Sequence, residues 1–471
     1  MVMTEEVRTK TPVLAKIASD KVFCYMSMAL LVFLPVAEII TEFLKSTKNK
    51  AFRFMYPSYY QPYIVAVFGI AGTLLVILSM LARATGGKKF KLYAADIFYF
   101  TLLTFMLLSM IFSVNFGIFA DGLRYYMEHP LHFLCYYSLY YAGTMIEDPS
   151  LRKKLLYSYL IVAVIEGIVA FLQTFGIEIL YCLFIDDKPA YNAAYGTLQN
   201  TNFFGALSCL LTAAVSGLFI FSSRLFKSNI IKWIIYAAAM LIFYTMLSSG
   251  ARQAWVGLAA MICMYIVSLI IMRRSNIDKS YLKSITGDFI FVLIGYVAVI
   301  IINLLADASY ITNRIEQTVQ DTATAIGDDD FGSGRGAIWK AALSSVPHHW
   351  ATGIGLDNLT QAFREMPGWQ QGDYVQAKGH CEYIHTLATQ GVFAIINYVS
   401  LLIYAGVTSV KAIFNEKDEV RRGLLWIFFG MFTAYISLAL FSNSVMNVAP
   451  YFWLVLGIVT QRTKPISFKK K

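Results

Sequence analysis

Arg335 and His380 share one polar stretch, 306–389, that has almost no long apolar run. The first stands in Gly332-Ser333-Gly334-Arg335 and the second in Gly379-His380-Cys381-Glu382-Tyr383-Ile384-His385. A guanidinium meets phosphate oxygens with a planar two-pronged fork. An imidazole titrates near neutrality and can take a proton from a hydroxyl. A third candidate is Arg252, in Leu247-Ser248-Ser249-Gly250-Ala251-Arg252-Gln253-Ala254-Trp255 between two apolar segments. An arginine at that depth must snorkel, pair or bind an anion, and snorkelling is the plain alternative to a working role. Asn200 and Asn202 open another apolar segment, where capping a helix is the plain reading. His380 and His385 are five residues apart, about 140° around a helix, so they do not form an i, i+4 metal pair. Asp328-Asp329-Asp330 reads as a solvated helix end. As a metal site for a sugar nucleotide it would need a nucleotide-binding domain, and neither a Walker loop nor a dinucleotide fingerprint is present.

The elements that must hold these groups are membrane-length segments. The chain is 58% hydrophobic and 14% charged, against about 45–50% and about 25% for soluble domains. Twelve segments approach the roughly 20 apolar residues that cross a bilayer: 23–44, 61–82, 95–113, 130–146, 155–176, 202–222, 233–248, 253–272, 286–305, 390–410, 423–441 and 447–461. The fourth, seventh and twelfth are short or weak. The fourth is rich in Tyr, a residue that favours membrane interfaces. The expected fold is an all-α polytopic membrane protein of about twelve helices with one large extracytoplasmic loop. It divides into a membrane bundle at 1–305, a catalytic loop at 306–389, and a second bundle with a basic tail at 390–471. No cleavable signal peptide is evident, because the first apolar run is too long.

With the N-terminus in the cytoplasm, the inner connections hold 27 of the 39 Lys and Arg and the outer ones 12. The positive-inside rule then sets both termini in the cytoplasm and the long loop outside; the connection with Lys45, Lys48, Lys50 and Arg53 disagrees. The net charge of +10 follows from this bias and calls for no nucleic-acid partner, and the tail Lys469-Lys470-Lys471 suits anionic lipid. Cys24, Cys135, Cys209 and Cys263 lie in apolar segments and read as small core residues. Cys182 and Cys381 could face outward, but no spacing suggests a disulfide framework or a zinc site.

Within the loop, Ile311, Ile315, Val319, Ala323 and Ile326 recur at helical spacing and predict an interfacial amphipathic helix. A second helix is expected from Gly336 to Ser345, stopped by Pro347. A turn at Gly353-Ile354-Gly355 and a short helix from Asn358 to Glu365 follow. His348-His349 beside Trp350 fits a membrane surface.

The order of these segments resembles the bacterial O-antigen ligases and the related O-antigen polymerases. Arg252 after Ser-Ser-Gly-Ala, Ser333-Gly334-Arg335-Gly336-Ala337-Ile338-Trp339, Thr352-Gly353-Ile354-Gly355 and His380 through Gly391 carry the likeness, over about 195–400. The family's His-Asn-x-Tyr-Leu pattern looks like His380-Cys381-Glu382-Tyr383-Ile384 here, with Cys381 where Asn is usual. The resemblance implies a C-type membrane glycosyltransferase in the bacterial inner membrane. It would move a glycan from undecaprenyl pyrophosphate to a glycan or lipid acceptor hydroxyl on the outer face, with inversion and without metal or cofactor. Arg252 and Arg335 would grip the pyrophosphate, and His380 would be the general base. Asn200, Asn202 and Glu382 are candidates for substrate binding. Two rivals make other demands. A lipid-linked oligosaccharide flippase would show internal pseudo-symmetry and short central loops. A peptidoglycan polymerase of the shape, elongation and division family would rely on a loop acid such as Asp357 or Asp373.

Overall fold

The computed structural model describes residues 16–46, 60–85, 91–116, 128–177, 193–274, 277–306, 316, 328–368, 370, 375–462 and 465. The predicted helix over 311–326, Asp373, Cys182 and the basic connection at 47–59 fall outside them. Five helices lead: α1 (Asp20–Ser46), α2 (Gln61–Thr85), α3 (Ala94–Ile111), α4 (Pro130–Met145) and α5 (Pro149–Gln173). Next come α6 (Thr201–Ile220), α7 (Asn229–Ser248), α8 (Arg252–Arg274) and α9 (Lys279–Ala306). The loop region holds α10 (Phe331–His349) and α11 (Thr360–Arg364), and α12 (Glu382–Asn415), α13 (Glu419–Leu438) and α14 (Ala449–Val459) complete the chain. All regular structure among the described residues is helical, and ten helices there are long and apolar enough to cross a membrane. The chain is a multi-pass membrane protein.

The difference from twelve lies in α4 and α14, of 16 and 11 residues. Both are sheathed by other helices rather than by lipid, so neither needs membrane length. Nearly every α4 side chain is buried, including Tyr136, Tyr140 and Tyr141. Its tyrosines are therefore core residues, not the interface belt that their frequency suggests. Tyr136 stacks on Trp453 of α14, and Tyr137 meets the same indole edge-on. The two backbones come close at Gly143 and Gly457: a Cβ on Gly457 would lie 2.0 Å from the Tyr140 carbonyl oxygen. Only glycine permits that approach.

Around this centre, α4 packs on α2 and α3, while α6 is enclosed by α5, α7, α8 and α13. Ile294, Val297, Ile301 and Leu305 leave α9 with an exposed apolar face, as expected of a surface solvated by lipid. Cys263 is exposed rather than a core residue, Cys381 is buried rather than outward, and all the described cysteines are free.

The loop is tied to the bundle by backbone hydrogen bonds. Ile354 N donates to Ala388 O (3.0 Å), Gly355 N to Thr389 O (3.1 Å) and Val114 N to Ile354 O (3.1 Å). Helix α10 does not stop at Pro347; it runs on to His349. A proline this near the last turn removes only one helical hydrogen bond, and the helix tolerates it. Asp328, Asp329 and Asp330 precede α10, and all three are exposed, with Asp329 paired to Lys340 at 2.7 Å.

Candidate active site

A cavity of about 360 Å³ opens where four chain segments meet. Thr201 and Asn202 reach it from the start of α6, Gly250, Arg252 and Gln253 from the start of α8, and Gly332 through Arg335 with Ile338 from the start of α10. Gln376 and His380 close it from the strand of chain before α12. The volume falls in the range of about 300–1,000 Å³ usual for small-molecule sites.

Local backbone rules explain each position. Asn200 accepts from Asn202 N (2.9 Å) and Phe203 N (3.1 Å) and so caps α6, which fixes where Asn202 emerges. Gly250 has φ 64° and turns α7 into α8, so that Arg252 is the first residue of its helix. Gly332, Ser333 and Gly334 all have left-handed dihedrals, with φ of 61°, 60° and 84°. Three such residues in a row are costly for anything but glycine and occur at sites that the surrounding structure over-determines. Here the turn points Ser333 Oγ at Arg252 Nη2 (2.8 Å), linking two segments 81 residues apart. The helical dihedrals of α10 then run uninterrupted from Arg335, beside the same cavity. Helix N-termini expose N–H groups and positive dipole ends. Two guanidiniums among such ends make an anion site.

His380 is not part of a helix. Its φ is 47°, and α12 begins only at Glu382, so the helical-wheel relation to His385 does not apply. Its backbone N–H donates to Asn443 Oδ1 (2.6 Å), and Asn443 Nδ2 lies 3.3 Å from Nδ1 of the ring. Because Oδ1 is held by a backbone donor, the amide nitrogen must face the ring. Burial first, then the nearby Arg335 and His385, push His380 down to about 4, so the ring is neutral at neutral pH. Trp339 Nε1 donates to Gly379 O (3.0 Å), which anchors this segment to α10.

Of the six residues singled out from sequence, the structure thus brings together Arg252, Arg335, His380 and Asn202. Asn200 stays behind as the cap of α6. Glu382 turns the other way: its carboxylate accepts from Tyr398 (2.7 Å) and Tyr435 (3.1 Å) and is buried between α12 and α13. Two residues of the region were missed. Gln253 and Asn443 carry no spacing signal; an amide in an apolar segment shows its purpose only through its neighbours.

A second polar group lies under the loop. Lys378 Nζ donates to Asp357 Oδ1 (2.6 Å) and Glu128 Oε2 (3.0 Å), and His385 Nε2 sits 2.8 Å from Asp357 Oδ1. Glu128 also accepts from Ser444 Oγ (2.7 Å). Burial would raise Asp357, but Lys378 and His385 outweigh it and hold the carboxyl below its usual range; the same two carboxylates raise Lys378. Glu128, Asp357 and His385 converge as a divalent ion's ligands would, yet the Lys378 ammonium already sits against both carboxylates. Asp357 is wholly committed to this cluster.

Residues 237–399, about a third of the chain, match the family model for O-antigen ligase. The match spans Arg252, Arg335 and His380. Over those residues the chain is similar to the O-antigen ligases. Among curated proteins, none matches it. The likeness supports O-antigen ligase-type glycan transfer in general terms, and the cavity with its two arginines lies largely inside the matched region.

Proposed function

We propose that the cavity transfers a glycan from undecaprenyl pyrophosphate to an acceptor hydroxyl at the outer face of the cytoplasmic membrane, by inversion and without metal. The observation that carries this reading is the convergence of Arg252 and Arg335 on one cavity fringed by helix N-termini. A diphosphate leaving group develops charge as the glycosidic C–O bond breaks, and fixed guanidiniums aimed at it lower that barrier. The acceptor oxygen attacks the anomeric carbon from the opposite side. The diphosphate leaves with the bonding electron pair, and the hydroxyl proton passes to His380, the general base. A ring that is neutral at working pH suits that task. Asn202 would contact the sugar or diphosphate at the cavity's rim.

A second role for His380 is favoured by Asn443. An amide N–H donating to Nδ1 leaves the neutral ring's proton on Nε2. His380 would then donate a hydrogen bond to the departing diphosphate oxygen, and the acceptor hydroxyl's proton would pass to the released diphosphate.

The test is transfer by the purified chain from a lipid-linked donor. Arg252→Ala and Arg335→Ala should abolish product while the protein still inserts and accumulates; wild-type turnover in both would sink the reading. The Lys and Arg asymmetry also supports an extracytoplasmic loop with both termini inside. Reporter fusions at Gly368 and after Lys471 check it, and a cytoplasmic signal at Gly368 would place the cavity on the wrong side for this donor.

A further inference from the structure

Gln253 is 2% exposed, follows Arg252 directly, and lines the arginine cavity. Its Nε2 donates to the backbone carbonyl of Asn202 (3.0 Å) and approaches Asn202 Oδ1 (3.4 Å). A carbonyl can only accept, so the amide cannot be turned over without setting two oxygens against each other. The orientation is therefore fixed, and Oε1 is the atom left over. It is buried and has no hydrogen-bond partner among the described residues. A buried acceptor without a donor is costly and calls for an explanation.

The rest rests on the diphosphate reading above. Of the parts of a polyprenyl diphosphate glycan, the prenyl chain has no polar hydrogen, and the ionised diphosphate carries acceptors only. A donor for Oε1 must come from carbohydrate, as a hydroxyl or an acetamido N–H. The position next to Arg252 selects the sugar attached to the diphosphate over the incoming acceptor. We propose that Gln253 is a specificity-determining residue whose Oε1 accepts a hydrogen bond from the donor's diphosphate-linked sugar. Asn202, by accepting from Nε2 at two atoms, positions the amide for that contact. The side chain thereby separates loaded donor from spent carrier: the bare polyprenyl diphosphate produced by transfer lacks the group that satisfies Oε1.

The experiment uses the full chain in nanodiscs and two kinds of probe. One is bare farnesyl diphosphate; the other is farnesyl diphosphate bearing a single glucose, galactose or N-acetylglucosamine. Wild type should bind at least one sugar-bearing lipid more tightly than the bare one. Gln253→Met, close in volume but without either polar atom, should lose about three- to tenfold affinity for that lipid, one neutral hydrogen bond's worth, and keep its affinity for the bare diphosphate. That retained affinity shows that the variant is folded. Gln253→Glu restores an acceptor oxygen; it should keep the sugar preference while binding both lipids more weakly, because its charge repels the diphosphate. Addition of a soluble acceptor sugar should not change the ratio; if the ratio appears only with acceptor present, the contact belongs to the acceptor and the proposal fails. Equal wild-type affinity for bare and sugar-bearing lipids, or a Gln253→Met loss that is the same for both, also overturns it. Unchanged bare-lipid affinity in Arg252→Ala with Arg335→Ala would instead strike the diphosphate reading itself.

Discussion

The arginine cavity and the Lys378 cluster each combine basic side chains with a histidine, the two histidines five positions apart, yet they are finished differently. In the cluster every formal charge meets an opposite one at hydrogen-bonding distance: Lys378 bridges Asp357 and Glu128, and His385 closes on Asp357. Its members are buried. In the cavity two guanidiniums, a neutral imidazole and the Gln253 side chain, whose buried Oε1 has no partner among the described residues, line about 360 Å³ of open volume. Groups that satisfy one another hold a fold together; groups that line an open cavity can also meet a ligand. The cluster staples the loop to the start of α4 and to the chain entering α12, and so places His380 without touching what the cavity binds.

That contrast can be broken first at Lys378. Lys378→Met should leave two buried carboxylates facing each other and cost about 3–5 kcal/mol. The expected result is loss of folded protein, read by thermal melting and by accumulation in the membrane; a stable variant with impaired turnover would move the cluster into the catalytic group. Next in size is the histidine pair. His380→Ala should keep its melting temperature and lose about 10²–10⁴-fold in turnover, as removal of a general base does. His385→Ala should do the reverse, costing about 1–3 kcal/mol of stability by leaving a buried partner short of a hydrogen bond, with the surviving protein near full rate. A reversal of the two phenotypes would remove His380 from the mechanism.

The arginines come third. Each Ala variant should lose about 10²–10³-fold, the usual cost of one transition-state donor. Arg335→Lys should recover little, because an ammonium is a point charge without the fork; full activity there would reduce Arg335 to general charge. The smallest effect sharpens the two roles of His380. With the ring pushed down to about 4, its neutral form persists far below neutrality, so the wild-type rate should be flat from about pH 6 to 8. The sign for Asn443→Asp follows from charge. A carboxylate at Nδ1 stabilises imidazolium and raises the pKa, against burial and against Arg335 and His385, which oppose it from α10 and α12. A base would then lose activity as pH falls through the raised pKa, whereas a donor to the diphosphate would keep it at low pH and lose it as pH rises. Rate profiles of the two proteins decide between them.

Much of the fold was legible because lipid imposes a one-dimensional rule: about 20 apolar residues, read by counting. Where protein replaced lipid as the surrounding, the rule misled. Helices α4 and α14 lie inside the bundle, so their length and their tyrosines answer to packing and not to bilayer thickness. The reading of Pro347 as a stop failed for a related reason, since one lost hydrogen bond near a helix end is a small local cost against the packing of α10. At the site, Arg252, Arg335 and His380 could be picked from sequence because their side chains carry chemistry that an apolar or irregular stretch does not otherwise explain. Glu382 matched a pattern by position, and its carboxylate went to Tyr398 and Tyr435 instead.

Composition and apolar periodicity by themselves determined an all-helical membrane protein with a polar loop and a short set of reactive side chains, because hydropathy and residue chemistry are properties of single positions. Which of those side chains share a cavity, which are neutralised in the cluster, and which atoms of Gln253 and Asn443 are left to act were decided only by tertiary structure. Hydrogen-bond satisfaction is a property of pairs: Asp357 becomes structural when Lys378 arrives, and Gln253 Oε1 becomes available when Nε2 is taken by Asn202.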